Sequence, residues 1–285
     1  MPMTIRTHLL GPVLAATLSV ATGGPAAASH PSDGSTPTPA AGRSLPPPAP
    51  CTGCWIPPAV ADWQWQLSGR LDLSVDVPIY DVDLFDTSAD VVTSLHDAGR
   101  HVVCYLDAGT WENWRPDASR FPPDVLGRQN GWPGERWLDV RRLDVLGPIM
   151  DARLDLCAQK GFDSVEFDNV DGYQNPTGFP LTAQDQLAYD TWLANEAHAR
   201  GLSAALKNDV DQSKTLLPYF DWSLDEQCFQ YRECEKLAPF VDAGKAVMEV
   251  EYRLDTARFC PDANQMDLNS MKKRLGLGAY RVPCR

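Results

Sequence analysis

Carboxylate side chains recur at the ends of the strand-like runs of this sequence. Asp168 closes the run 163–168, and Glu226 closes the run 222–226. A parallel strand that is buried on both faces should be almost continuously apolar, so charges there contradict the local pattern and point to function. A lone aspartate after a strand often only caps the next helix, but glutamate caps poorly and is costly to bury unpaired. Two such carboxylates suffice to hydrolyse a glycosidic bond, because one attacks the anomeric carbon while the other protonates the leaving oxygen.

Aromatic residues near these acids fit the same chemistry. Trp111 and Trp114 lie in the long segment 109–143, and Tyr173 follows the run 163–168. A segment of that length inside a compact domain is usually functional, and sugar faces stack on aromatic rings. Each of these aromatic side chains could equally serve only to pack in the hydrophobic core.

Other catalytic chemistries lack their residues. Of the histidines that follow the N-terminal region, His30 lies in a Pro-rich stretch, His96 and His198 fall on predicted helices, and His101 is at the start of a strand. None of these positions suits a histidine-based metal site. An all-oxygen calcium or magnesium site stays open without a motif to support it, and no GxSxG elbow is present. We therefore expect neither a metal nor a cofactor.

Short apolar runs alternate with helical patterns from residue 63 onward. The predicted strands are 63–69, 78–84, 101–108, 163–168, 202–207, 222–226, 246–252 and 277–282. Helices are predicted over 144–160 and over 182–200, the latter opened by a Thr182-x-x-Asp185 capping signal. A glycine lies just before or at the start of five of the runs (Gly99, Gly161, Gly201, Gly244 and Gly278), as in repeated αβ units. The pattern predicts an α/β fold, a single-domain (β/α)8 TIM barrel; a doubly wound sheet is the alternative, but its glycine-rich motif is missing.

Charge and the N-terminal region narrow the class of protein further. The formal charge is -13, which excludes a nucleic-acid binder and favours neutral or cationic partners. Arg6, the apolar run 9–20 and the alanines at 26–28 predict that residues 1–28 are a signal peptide of a secreted, extracellular protein. No other segment is apolar enough to enter a membrane, so we expect no membrane contact after signal removal.

Composition divides the rest of the chain. Residues 29–50 contain seven prolines and are predicted to be a disordered linker, and 51–285 the barrel catalytic domain. All eight cysteines lie in that domain and suggest up to four disulfides, with Cys228–Cys234 and Cys104–Cys157 as candidate pairs. The pair Cys51 and Cys54 lacks the second motif of a zinc site and the context of a redox site. No feature signals oligomerisation, so we expect a monomer.

The motifs in their order resemble glycoside hydrolase family 114, the endo-α-1,4-polygalactosaminidases and related proteins. The resemblance spans about residues 54–284 and rests on WQWQLSG, YDVDLFD, CYLDAGTWENWRPD, GWPGERWLDV, EFDNVDGYQNPTGFPLT, ALKNDVDQ, LDEQCFQYRECE and VMEVEY. It implies a (β/α)8 barrel and a retaining mechanism with Asp168 of DNVD as nucleophile and Glu226 of DEQC as general acid/base. Asp107 stands where the family often has a smaller polar residue. We expect substrate contacts, or orientation of the catalytic groups, from Asp81, Tyr105, Glu112, Asp171, Tyr173, Lys207, Asn208 and Glu251.

The resemblance implies an endo-acting hydrolase of α-1,4-linked galactosamine polymers. Such a polysaccharide is cationic when its amines are free, which suits an acidic protein. Two alternatives remain open: a non-catalytic secreted carbohydrate-binding barrel, and a glycosidase for a different α-linked polysaccharide. The presence of both Asp168 and Glu226 favours an enzyme over the binding protein.

Overall fold

The structure is a computed structural model that describes residues 44–285. The predicted signal peptide, 1–28, and linker residues 29–43 lie outside the described residues. The strands are β1 Trp63–Gln66, β2 Ile79–Asp83, β3 His101–Asp107, β4 Thr110–Glu112, β5 Leu126–Gln129, β6 Glu135–Leu138, β7 Ser164–Asp168, β8 Ser203–Lys207, β9 Trp222–Glu226, β10 Val247–Glu251, β11 Asn269–Lys273 and β12 Arg281–Pro283. The helices are α1 Ala89–Asp97, α2 Leu143–Lys160, α3 Ala183–Ala199, α4 Ser213–Leu216, α5 Cys228–Tyr231, α6 Ala238–Asp242 and α7 Thr256–Gln265.

Eight parallel strands form the barrel, in the order β1-β2-β3-β7-β8-β9-β10-β11, and β12 pairs antiparallel to β11. Side chains bridge the two ends of this sheet. The Trp63 indole Nε1 donates to the Asn269 carbonyl at 2.8 Å, and the Lys273 ammonium donates to Gln64 Oε1 at 3.1 Å. The predicted single-domain (β/α)8 barrel is therefore confirmed.

The long helices begin and end where their sequence signals lie. Thr182 and Asp185 form a capping box at the start of α3. Gly161 and Gly201 follow α2 and α3 with φ of 84° and 75°, a left-handed conformation that glycine adopts without steric cost. These junctions turn the chain back toward the sheet and set the start of the next barrel strand.

The eighth barrel strand differs from its prediction. The run 277–282 was expected to form it, but β11 occupies that place and the predicted run contributes only to the antiparallel β12. The sequence of β11, NSMKK, does not look like a buried strand. Lys273 is nevertheless 1% exposed, because its ammonium also donates to the Gly278 carbonyl at 2.8 Å.

The long segment after β3 folds as a small antiparallel sheet in the order β4-β6-β5. Trp137 packs in the core, whereas Trp114 is 44% exposed. The Trp111 indole donates to the Ala118 carbonyl at 3.0 Å. Because β4 begins directly after β3, this insertion lies over one side of the barrel mouth.

Two apolar layers show which way each strand residue faces. The barrel interior holds Trp65, Tyr105, Leu224 and Val250. A second, larger cluster packs the outer face of the sheet against the helices. Since side chains alternate along a strand, residues two positions from an interior residue also face the interior.

Disulfides and the N-terminal segment complete the domain. The cysteines pair as Cys51–Cys54, Cys104–Cys157, Cys228–Cys234 and Cys260–Cys284, which includes both pairs suggested by the sequence. Residues 44–50, predicted as the end of the disordered linker, lie instead against the barrel: Ala49 N–H donates to Asn195 at 2.7 Å, and Tyr219 donates to the Pro46 carbonyl at 2.5 Å. Among the described residues, no helix has both the length and the apolar character needed to cross a membrane.

Candidate active site

A buried lysine joins three carboxylates at the carboxyl end of the barrel. The Lys207 ammonium, at the end of β8, lies 2.8 Å from Glu166 Oε1, 3.0 Å from Asp168 Oδ1 and 3.6 Å from Glu226 Oε2. Strands β7, β8 and β9 are neighbours, so the last interior-facing residue of each reaches the same point. All four side chains are buried. Their carboxylates therefore share one positive charge in a low-dielectric site.

Three donors hold the Asp168 carboxylate. Tyr105 donates its hydroxyl to Oδ2 at 2.7 Å, and the Asn169 N–H donates to Oδ1 at 2.9 Å. Lys207 completes the set. The donors stabilise a negative charge on Asp168 and fix the orientation of its carboxylate, as a nucleophile requires.

Glu226 is held differently. Tyr252 donates its hydroxyl to Oε1 at 2.5 Å, and Asn208 Nδ2 donates to Oε2 at 3.4 Å. Burial raises the pKa of Glu226, while Lys207 opposes that rise and Asp168 adds to it. The carboxyl thus retains its proton to higher pH than an exposed glutamate, which is the property of a general acid.

A second acid pair lies deeper in the barrel. Burial raises the pKa of Asp81 well above its ordinary value, and the neighbouring Glu166 carboxyl raises it further. Burial also raises the pKa of Glu166 to about 6, although Lys207 opposes the change. Asp81 therefore keeps its proton to higher pH than an exposed aspartate does. The Lys207 ammonium lies 4.6 Å from the ring centre of Trp65, which adds a cation–π contact.

The chain takes a left-handed conformation directly after each of the three central residues. Asn169, Asn208 and Gln227 have φ of 62°, 52° and 66°, and they follow Asp168, Lys207 and Glu226. Such conformations are uncommon outside glycine and cluster at functional sites. Gly109 permits the close approach at the first of them, because an added Cβ there would lie 1.6 Å from the Asn169 carbonyl oxygen.

A second acidic cluster lies beside Asp168, on the side of β3. Ligand oxygens of Asp107, Glu112 and Glu135 are all within 4.8 Å of one another, and Asn169 Nδ2 donates to Asp107 at 2.8 Å. Burial raises the pKa of Glu135 to about 8 and that of Asp107 well above its ordinary value. Arg115 pairs with Glu112 at 2.5 Å and balances part of the charge.

This second cluster is the oxygen-rich group that could hold a cation. Another group of ligand atoms, from Cys51, His198 and Asp221, also lies close together, but Cys51 is in a disulfide and offers no thiolate. The expectation of no metal and no cofactor stays a prediction.

The structure brings most of the predicted site residues together. Asp168, Glu226, Lys207, Asn208, Tyr105 and Asp81 belong to the central cluster, and Glu112 belongs to the cluster beside it. Asp171 precedes the short turn Gly172–Gln174 and accepts from Asn175 Nδ2 at 3.3 Å. Tyr173 is half-buried, and burial together with Asp209 raises its pKa.

Glu251 does not reach the central cluster. Val250 and Met248 face the barrel interior, so the alternation along β10 directs Glu251 to the outer face. There its carboxylate accepts from the Gln230 N–H at 3.0 Å. Its prediction as a substrate-binding residue therefore has no support from its position.

Sequence reasoning missed Glu166 and Tyr252. Glu166 precedes Asp168 by two residues and so shares its face of β7, a signal that was present in the string EFD. Tyr252 comes directly after β10 and contacts Glu226 of the neighbouring strand. No local signal marks that contact, because it depends on how the strands pair.

Known proteins resemble this chain over nearly all of the described residues. The sequence model of glycoside hydrolase family GH114 matches residues 45–285. The chain belongs to glycoside hydrolase family 114. It is a glycoside hydrolase.

Two solved structures and one further protein are among those similar to this chain. The structure of Ega3 from Aspergillus fumigatus in complex with galactosamine is 38% identical, with a TM-score of 0.78 over 82% of this chain and 98% of that one. The glycoside hydrolase domain of PelA from Pseudomonas aeruginosa is 11% identical, with a TM-score of 0.63 over 78% of this chain and 98% of that one, and supports the fold alone. An uncharacterized protein of Deinococcus radiodurans is 28% identical over 230 residues, or 68% of this chain and 73% of its own length.

Proposed function

We propose that the chain is a secreted, endo-acting hydrolase of α-1,4-linked galactosamine polymers that retains the anomeric configuration. The observation that carries the proposal is the Lys207 ammonium between Asp168 and Glu226, at 3.0 and 3.6 Å, in a member of family GH114. Two carboxylates with different environments are what the reaction needs. The likeness to Ega3, whose structure holds galactosamine, supports the sugar.

In the proposed mechanism Asp168 is the nucleophile and Glu226 the general acid/base. Asp168 attacks the anomeric carbon while Glu226 gives its proton to the departing glycosidic oxygen, which forms a glycosyl-enzyme ester and releases the first product. Glu226, now ionised, then takes a proton from water as the water attacks the same carbon and frees Asp168. Tyr105, Lys207 and Asn208 position the two carboxylates.

The distances around Lys207 are compatible with retention. Because both carboxylates contact one ammonium, their nearest oxygens are separated by at most about 6.6 Å, the two N–O distances laid end to end. Retaining enzymes hold their carboxyl groups about 5–5.5 Å apart, whereas inverting enzymes need about 6.5–9.5 Å to admit a water molecule. Proton NMR of the first product should therefore show the α-anomer, and a β-anomer formed first would exclude Asp168 as a nucleophile.

Secretion and a cationic substrate also belong to the proposal. Four disulfides are typical of proteins that fold in an oxidising compartment, in agreement with the signal pattern at 1–28. The formal charge of -13 favours a polymer with free amines over a uronic-acid polymer. The monomer expected from the sequence is part of the proposal.

The test is the release of reducing ends from α-1,4-linked galactosamine polymer. We expect Asp168→Asn and Glu226→Gln each to lower kcat by at least about 10²–10⁴-fold, because each removes a group that acts in the transition state. Glu251→Gln is the matched control, a buried carboxylate on the outer face of the sheet, and should keep wild-type activity.

Other outcomes would redirect the proposal. Polygalacturonate and α-galactosides serve as control substrates and should not be cleaved. Binding of the galactosamine polymer without turnover would favour the carbohydrate-binding barrel. Turnover of another α-linked polymer, lost in both variants, would keep the catalytic pair and change the sugar.

A further inference from the structure

A groove opens directly beside Glu226. It encloses about 340 Å³ and is lined in part by Gln227 and Tyr252. Gln227 is the residue after Glu226, and the Tyr252 hydroxyl donates to the Glu226 carboxylate at 2.5 Å. In a glycosidase the leaving group departs next to the general acid, so this groove borders the sugar on the leaving-group side of the bond.

The charge of this groove is opposite to that of the protein as a whole. Arg253, Lys272, Lys273 and Arg274 line it, and none of its lining residues is acidic. Lys272 pairs with Asp255 at 2.7 Å. Burial lowers the pKa of Lys273 to about 7, with Arg281 adding to the effect. The exposed residues Arg253 and Arg274 therefore supply most of its positive charge.

These two arginines are available to a ligand. Both are exposed, and neither has a carboxylate partner among residues 44–285. The Arg274 guanidinium lies 4.4 Å from the ring centre of Tyr280, so it covers one face of that ring without losing its charge. Tyr280 is 38% and Leu275 36% exposed, so apolar surface lies beside the charges in the same groove.

A second, larger cavity on the other side of one loop carries charges of both signs. It encloses about 930 Å³ and is lined by Asp72, Asp83 and Asp86 together with Arg70. Ala279 lines this cavity, and its neighbour Tyr280 lines the basic groove, so the chain around these residues separates the two. The Arg115 guanidinium pairs with Asp83 at 2.6 Å, so this cavity does not have the excess of basic residues that marks the groove on the β9–β11 side.

We propose that the basic groove is the subsite for the sugar on the leaving-group side of the cleaved bond, and that it takes an N-acetylated residue in preference to one with a free amine. The inference rests on the proposed function. An ammonium group at C2 of that sugar would be repelled by Arg253 and Arg274. An N-acetyl group is uncharged, and its methyl group can pack on Tyr280 and Leu275. Cleavage therefore concentrates at bonds whose leaving-group side carries an N-acetylated sugar.

The test uses partially N-acetylated α-1,4-linked galactosamine oligosaccharides of known composition. Digestion in ¹⁸O water labels each new reducing end, and tandem mass spectrometry then identifies the sugars on the two sides of every cleaved bond. We expect N-acetylated sugars to be enriched at the new non-reducing ends, above their share in the substrate. Random composition at those ends would overturn the proposal.

Charge-reversal variants distinguish an effect of the groove on the cleavage pattern from an effect of the net charge of the protein. Arg274→Glu and Arg253→Glu should each shift the new non-reducing ends toward free-amine sugars by about two- to fivefold, the range expected for one exposed charge. Arg258→Glu makes the same change at an exposed position of α7 outside the groove and should leave the pattern as in the wild type. An equal shift in all three variants would assign the effect to net charge and contradict the subsite.

The failure of the proposed function gives a different result. If the wild-type enzyme cleaves the fully deacetylated polymer and yet shows no preference at the new non-reducing ends, the proposed function stands and the proposed subsite is wrong. If the enzyme releases no reducing ends from either galactosamine polymer, both the proposed function and the proposed subsite are wrong.

Discussion

Lys207 is the residue on which the electrostatics of the site depend. Burying a carboxylate without a partner is costly, and three of them surround this one ammonium. Although burial disfavours its charge, Asp168 and Glu166 raise the pKa of Lys207 well above its ordinary value. The lysine therefore stays charged and sets the balance between a nucleophile that must be ionised and an acid that must hold a proton.

Tyr252 affects the pKa of Glu226, the proposed general acid of that pair. Its hydroxyl donates to Glu226, and a hydrogen bond to the carboxylate lowers the pKa of that group. We expect Tyr252→Phe to raise the pKa of Glu226 further and to move the alkaline limb of the kcat/KM profile up by about one pH unit. The profile against galactosamine polymer between about pH 4 and 9 measures this shift.

Tyr280→Phe is the control for that experiment. Tyr280 lines the same groove as Tyr252, yet it is exposed and makes its visible contact through its ring. Its profile should overlay that of the wild type. A Tyr252→Phe profile with an unmoved alkaline limb, or one moved downward, would mean that this limb reports a group other than Glu226.

At the scale of the elements, strand alternation decides which acids reach the site. Glu226 and Glu251 both end barrel strands, and the sequence treats them alike. The barrel strands are buried on both faces, so the apolar pattern does not tell inward from outward positions. Only the packing of Val250 into the interior shows that Glu251 points the other way.

Long-range partners explain the other differences from the sequence predictions. The strand ends that carry Asp168 and Glu226 could be predicted, because glycine junctions and apolar runs are local signals. The eighth strand could not, since one of the two hydrogen bonds that allow Lys273 to be buried is accepted by Gln64, more than two hundred residues away. Glu166 gains its role in the same way, from Asp81 on β2 and Lys207 on β8.

The Cys104–Cys157 disulfide ties β3 to α2 behind the site. It spans 53 residues, whereas Cys51–Cys54 spans 3. In the chain-entropy model the longer loop contributes about 4 kcal/mol and the shorter about 1.5 kcal/mol to the free energy of unfolding. We therefore expect the double substitution to alanine at 104 and 157 to destabilise the protein much more than the same change at 51 and 54. Urea denaturation of the two variants measures the difference, and equal losses would contradict the entropic origin.

On the scale of the whole molecule, the formal charge overstates the negative charge of the folded protein. The value of -13 counts every acid as ionised. Burial raises the pKa of Glu135 to about 8 and that of Glu251 to about 7, and it raises those of Asp81 and Asp107 well above their ordinary values. The folded state therefore holds protons at neutral pH that the unfolded chain releases.

This retention of protons predicts that stability falls as pH rises. A carboxyl whose pKa is raised by folding contributes stability below its unfolded pKa, and that contribution is lost as pH rises through its folded pKa. For Glu251 the window runs from about pH 4.3 to about 7. Glu251→Gln removes this titration, so we expect the loss of unfolding free energy between those two pH values to shrink by roughly 1–3 kcal/mol.

Glu235→Gln provides the comparison for the pH series. Glu235 is exposed, so the same substitution there should leave the slope of stability against pH as in the wild type. Urea denaturation at pH steps from about 4 to 8 measures all three proteins. If wild-type stability instead rises across this range, the prediction is wrong. The acids that remain ionised in the folded state would then contribute more to the pH dependence of stability than the buried acids do.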